Sequence, residues 1–189
     1  MTSLWCVRWT RPLTMEEETY LKALLPPHRR ERLERTKDRR KRDQVLCAYG
    51  LLHLAAGGGT MPLIAVEAGG KPYFPERSGF HFSLSHTEGA VMIGLSDHPI
   101  GVDIEKIRPL GPRIRQKLGE ELTDKEIFQR WTALEACAKR TGKGVGEFLH
   151  GDFKEPASCC PIQVGEGYCA SVDCEGAVTV HHCTLEDVL

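Results

Sequence analysis

The stretch FHFSLSHTEGAVMIGLSDHPIGVDIE, from Phe80 to Glu105, decides how this chain folds. Phe80 to Ser85, Ala90 to Leu95 and Ile100 to Glu105 each read as a strand, and Asp97-His98-Pro99 makes a turn before the third. On an extended strand, residues two apart point to the same side. Asp103 and Glu105 therefore aim their carboxylates together, while Val102 and Ile104 face the core.

Downstream, Leu122-Thr123-Asp124 opens a helix that runs to about Thr141. Thr123 is placed as its N-cap, Glu126 completes a capping box, and Gly142 is the stop. On that helix Trp131, Glu135 and Lys139 are four residues apart and share one face. Three carboxylates converging with a lysine and a histidine can hold a divalent cation and the polyphosphate it neutralises.

Upstream, Leu4 to Trp9 alternates like a strand. A helical region from about Met15 to Leu25 breaks at Pro26-Pro27 and resumes through a basic stretch. Arg42 to Ala56 is apolar at helical spacing and ends at Gly57-Gly58-Gly59. Short strands are predicted near Gln163, at Tyr168 to Asp173 and at Val178 to His182. Strand, long helix and strands thus occur twice, with a seam near Asp97 to Ile100. The expected fold is α+β, with two similar halves, 1–98 and 99–189, and the acidic cluster at their junction.

Bulk properties narrow the class. With 41% hydrophobic and 27% charged residues and a net charge of -1, the composition is that of a globular protein rather than a disordered or membrane chain. Apolar runs fall short of the ~20 residues that cross a bilayer, and the N-terminus lacks a secretion-signal pattern, so a cytoplasmic location is expected. Eight cysteines show no Cys-x-x-Cys pair, which argues for buried small hydrophobes over zinc or disulfides. From His28 to Arg42, nine Lys or Arg stand against three acids. The absence of interleaved aromatics weakens a nucleic-acid reading of that stretch.

Four motifs, Lys71-Pro72, Phe82-Ser83-Leu84-Ser85-His86, Gly101-Val102-Asp103-Ile104-Glu105 and Trp131-x3-Glu135-x3-Lys139, in this order and spacing resemble the 4'-phosphopantetheinyl transferases. The resemblance is greatest to the surfactin-type group, whose single chain folds as a pseudo-dimer of two α+β halves. It covers about Lys71 to Gly144. It implies transfer of 4'-phosphopantetheine from coenzyme A to a serine of an apo acyl or peptidyl carrier protein, a holo-acyl-carrier-protein synthase activity. It also implies that Asp103, Glu105 and Glu135 bind Mg2+, with Glu135, Asp103 and Lys139 carrying the chemistry. Lys71, Ser85, His86, Lys139 and an arginine of the first half, best matched by Arg42, would contact coenzyme A. A monomer is expected, with neither nucleic acid nor membrane as partner.

One position departs from the family pattern: Leu134 stands where a lysine usually precedes the helix glutamate. A residue one step along a helix points ~100° away from its neighbour, so it need not touch the metal. The alternative reading is a catalytically impaired relative that binds a carrier protein or nucleotide.

Overall fold

A computed structural model of the chain describes residues 1–67, 69–112, 115–116, 119–146 and 158–189. The fold is α+β, and the described elements run β1 (Thr2–Arg8), α1 (Met15–Ala23), α2 (Pro27–Glu34), α3 (Arg39–Ala55), β2 (Ala65–Val66), β3 (Pro72–Tyr73), β4 (His81–Thr87), β5 (Ala90–Ser96), β6 (Gly101–Lys106), α4 (Asp124–Thr141), β7 (Cys159–Pro161), β8 (Tyr168–Asp173), β9 (Val178–Cys183) and α5 (Leu185–Val188).

Local chemistry sets the helix ends. Thr14 and Glu17 close a capping box on α1. Pro27 sits in the first turn of α2, where its missing N–H costs nothing. Asp38 accepts the Arg40 and Lys41 amides at 3.0 and 3.4 Å to start α3. Thr123 and Glu126 close the expected capping box on α4, and Gly142 ends that helix in the left-handed region at φ 73°. That conformation suits glycine because it has no Cβ to clash.

The larger sheet has strand order β4-β5-β1-β9, and the smaller has β6-β8-β7. One face of the larger sheet buries Val7, Phe82, Val91, Ile93 and Leu95 against Leu46, Leu51 and Leu52 of α3. The other face places Leu4, Cys6 and Met92 against Val102 and Ile104 of β6 and Val172 of β8. As the alternation predicted, Val102 and Ile104 lie in the core between the sheets. Helix α4 covers the opposite face of β6 and β8. A long helix on a sheet thus occurs twice, once in each expected half.

Backbone pairing also joins the N-terminal strand to a C-terminal one. Strand β9 runs parallel to β1, with Thr2 opposite Val178 and Cys6 opposite His182. A parallel partnership across the length of the chain leaves no local sequence signal, and the expected division at 98/99 did not foresee it. The β2–β3 hairpin and α5 were likewise absent from the sequence reading. Of the eight free cysteines, five are buried.

Gly101 brings β6 and α4 together. A Cβ at this position would lie 1.9 Å from the Ala136 carbonyl oxygen and 2.5 Å from the Arg140 nitrogen. Both are backbone atoms, so a side chain cannot be accommodated by a rotamer change. Gly101→Ala is expected to cost about 1–3 kcal/mol or more, read as a lower urea midpoint. An unchanged midpoint would mean that helix and strand separate freely.

Candidate active site

Strands β4 and β6 belong to different sheets, yet side chains lace them together. The Val102 amide donates to Ser83 Oγ at 3.1 Å, and Ser85 Oγ donates to Asp103 Oδ1 at 2.6 Å. Thr87 Oγ1 donates to Glu105 Oε2 at 3.2 Å and accepts the Lys106 amide at 3.3 Å. The three hydroxyl residues are two apart on β4, so all face β6. They orient both carboxylates of the Asp-x-Glu strand.

Asp103 is 4% exposed. Its Oδ1 accepts from Ser85 and also from Lys139 Nζ at 2.7 Å, whereas its Oδ2 is buried without a hydrogen-bond partner among the described residues. Glu105 accepts from Arg108 Nη1 at 3.0 Å. The Glu135 carboxylate, on α4, has no hydrogen-bond partner among the described residues. Burial pushes its carboxyl pKa above the ordinary value. Lys139 opposes that shift, and the charges of Asp103 and Glu105 add to it.

Among the described residues, no set of three or more His, Cys, Asp or Glu side chains already stands at metal-ligand spacing. The donor chemistry nevertheless fits Mg2+, which takes hard oxygen ligands and keeps several waters. The buried, unpartnered Asp103 Oδ2 is the atom such an ion would satisfy.

A cleft of about 330 Å³ opens beside Glu135 and Lys139. Arg29, Lys71 and Lys143 also line it, so four of its five charged residues are cations, which suits a polyanion. Lys71 Nζ donates to the Arg140 carbonyl at 2.9 Å and the Ile100 carbonyl at 3.4 Å. It thereby ties the end of α4 to the seam, and burial lowers its pKa. His86 lies with one edge exposed, its Nδ1 3.1 Å from Gln44 Oε1. Crowding by its neighbours and the Lys139 charge still push its pKa down. A larger hollow of about 560 Å³, bordered by Trp9, Arg11 and His182 among others, contains none of these carboxylates.

The structure does not bring Arg42 to the cleft. Its guanidinium donates to the Leu33 carbonyl at 2.9 Å and pairs with Glu18. The arginine of the basic stretch that lines the cleft is Arg29, two residues into α2. Ser85 is spent on Asp103. Trp131 packs against Ile127 and Leu134, and Leu134 is only 1% exposed. Position 134 thus belongs to an apolar cluster. Thr87 was missed by the sequence reading, although Ser83-x-Ser85-x-Thr87 continues a legible alternation.

No family model matches the chain. It is 28% identical over 152 residues to a 4'-phosphopantetheinyl transferase of Bacillus subtilis, covering 71% of this chain and 68% of that relative. The 4'-phosphopantetheinyl transferase psf-1 of Bacillus pumilus is 32% identical over 95 residues, 44% of this chain and 41% of its own length. The 4'-phosphopantetheinyl transferase HetI of Nostoc sp. strain PCC 7120 is 31% identical over 99 residues, 43% of this chain and 42% of its own. With the α+β fold and the motif positions, these matches support a relationship to the 4'-phosphopantetheinyl transferase superfamily.

The raised Glu135 pKa makes a stability prediction. A carboxyl whose pKa is higher folded than unfolded destabilises the fold when ionised, fully above the raised pKa and not at all below the unfolded value. Glu135→Gln is expected to match or exceed the parent in Tm at about pH 8, the difference closing by about pH 4. A lower Tm for the variant at the alkaline end would contradict this.

Proposed function

We propose that this chain transfers the 4'-phosphopantetheine arm of coenzyme A to a serine hydroxyl of an acyl or peptidyl carrier protein, with Mg2+ held by Asp103, Glu105 and Glu135. The observation that supports this reading most directly is the buried Asp103 carboxylate, whose Oδ2 has no hydrogen-bond partner among the described residues and whose Oδ1 is bonded to Lys139 of a cleft lined by four basic side chains. Bound there, Mg2+ would neutralise the coenzyme A pyrophosphate and polarise its phosphorus.

The residues of this chain then have separable tasks. Lys139 and His86 meet phosphate oxygens, and Lys71 and Arg29 line the nucleotide side. Arg29 takes the part that the sequence resemblance gave to Arg42. Ser85 and Thr87 fix the two strand carboxylates. Glu135 accepts the proton of the carrier serine, and burial raises its basicity toward what a general base at neutral pH needs. The serine oxygen forms a bond to the phosphorus that bears the pantetheine arm. The bond from that phosphorus to the bridging oxygen breaks, and adenosine 3',5'-bisphosphate leaves with the electron pair.

Leu134 does not weigh against activity. It is buried with Ile127 on the core side of α4, so the lysine missing from this position is not missing from the cleft wall.

Incubation with coenzyme A, Mg2+ and a panel of apo carrier proteins is expected to add one phosphopantetheine arm by mass. Asp103→Ala and Glu135→Ala are each expected to lower turnover by about 10²- to 10⁴-fold with the circular dichroism of the fold retained. No mass gain across a broad panel, with coenzyme A binding also absent, would reject the transferase reading. Carrier binding that survives Asp103→Ala without any turnover in the parent would indicate a binding module instead.

A further inference from the structure

We propose that Lys139 is a displaceable counter-ion. Its ammonium holds the Asp103 carboxylate until a divalent cation takes that carboxylate, and then turns to the phosphate oxygens in the cleft. The inference rests on the metal-binding reading of the site given above.

Three observations carry it. First, the two oxygens of Asp103 are unequal: Oδ1 receives both Ser85 and Lys139, while Oδ2 is buried without a hydrogen-bond partner among the described residues. A buried carboxylate normally has both oxygens satisfied, so this arrangement is incomplete. Second, the two donors to Oδ1 differ in freedom. Ser85 is buried on a strand, whereas the Lys139 side chain is 31% exposed against 6% for Asp103 and lines the cleft. Its four-carbon stem can swing toward the cleft without moving α4. Third, the Lys139 ammonium and the orphan oxygen belong to the same carboxylate, so an ion on that oxygen comes close to the ammonium. A divalent ion on the cluster repels an ammonium bonded to the same carboxylate.

Exchange has a thermodynamic consequence. A metal that binds Oδ2 alone sets its charge against the Lys139 ammonium on Oδ1 and drives that ammonium off without a partner. If a polyphosphate binds as well, the released ammonium gains one. Lys139 therefore makes metal binding depend on the anionic co-substrate, as a coupling free energy between two sites. A carboxylate cluster with no lysine in it would take the metal regardless.

The experiment is titration calorimetry with MgCl2 and MnCl2, with and without coenzyme A, on the full chain and on Lys139→Met and Lys139→Arg. In the absence of coenzyme A, Lys139→Met is expected to bind the metal about tenfold more tightly than the parent. Its gain in metal affinity on adding coenzyme A should shrink by a similar factor. Lys139→Arg keeps the charge and should behave like the parent. Unchanged or weaker metal binding by Lys139→Met overturns the exchange, while parent binding of Mg2+ and coenzyme A leaves the site reading standing. Absence of metal binding in all three proteins overturns both together. If Lys139→Met fails to fold, the parent alone decides. Acetylation of Lys139 by an amine-reactive reagent, followed by mass spectrometry, should accelerate when MgCl2 is added without coenzyme A. A rate that stays level or falls overturns the proposal.

Discussion

The hydroxyls of Ser83, Ser85 and Thr87 are the constraint on which the site depends. Strand β6 pairs with β8 on one edge, and its other edge faces β4 with no backbone ladder between them. The Val102 amide on that edge is buried, and leaving such a group unpaired costs about 1–3 kcal/mol. Ser83 accepts it, and Thr87 accepts the Lys106 amide further along. Ser85 uses the same geometry to reach a side chain. The contacts that join the two sheets therefore also set the direction of the Asp103 and Glu105 carboxylates. Fold and site share one set of bonds here, and neither is adjustable without the other.

A buried, half-satisfied carboxylate is expensive, so its surroundings decide whether it signals a ligand. The chain offers an internal comparison. Asp43 is also 4% exposed and has an unpartnered Oδ1, and burial raises its pKa. The charges of Arg39 and Arg42 stabilise it, with Glu18 the one opposing carboxylate. Asp103 has one lysine and shares its neighbourhood with Glu105 and Glu135. Positive charge is abundant around the first aspartate and scarce around the second. An orphan oxygen alone means little; an orphan oxygen among carboxylates marks a place where a cation is stabilising.

What was legible in the sequence follows the range of each interaction. The strand alternation at Val102-Asp103-Ile104-Glu105 and the Thr123/Glu126 capping box are local, and both appear as read. The Trp131, Glu135, Lys139 row follows from helical spacing, with Trp131 packed in an apolar cluster and the other two on the cleft. Arg42 and Arg29 could not be separated that way. Which guanidinium reaches the cleft depends on how α2 lies after Pro26-Pro27 and on Glu18 engaging Arg42 from α1. The pairing of β9 with β1 depends on the path of the whole chain and leaves no periodic trace. His150, which has no role in the sequence reading, falls outside the described residues.

The two walls of the site differ in what they can do because they differ in how they are held. The strand wall is fixed by short side chains: one serine and one threonine hydroxyl each bond a carboxylate across a buried seam. The helix wall is fixed only in its backbone. Gly101 lets α4 approach β6 to backbone contact, Lys71 binds the last turn through the Arg140 carbonyl, and Leu134 and Trp131 anchor the apolar side. None of these restrains the ends of Glu135 and Lys139, which project from a fixed helix on flexible stems, the lysine held only by its pair with Asp103. Charge that must stay in place is carried by the rigid wall, and charge that must move, a proton or an ammonium, is carried by the flexible one. The buried apolar residue at 134 belongs to the anchored side of the helix, away from the cleft.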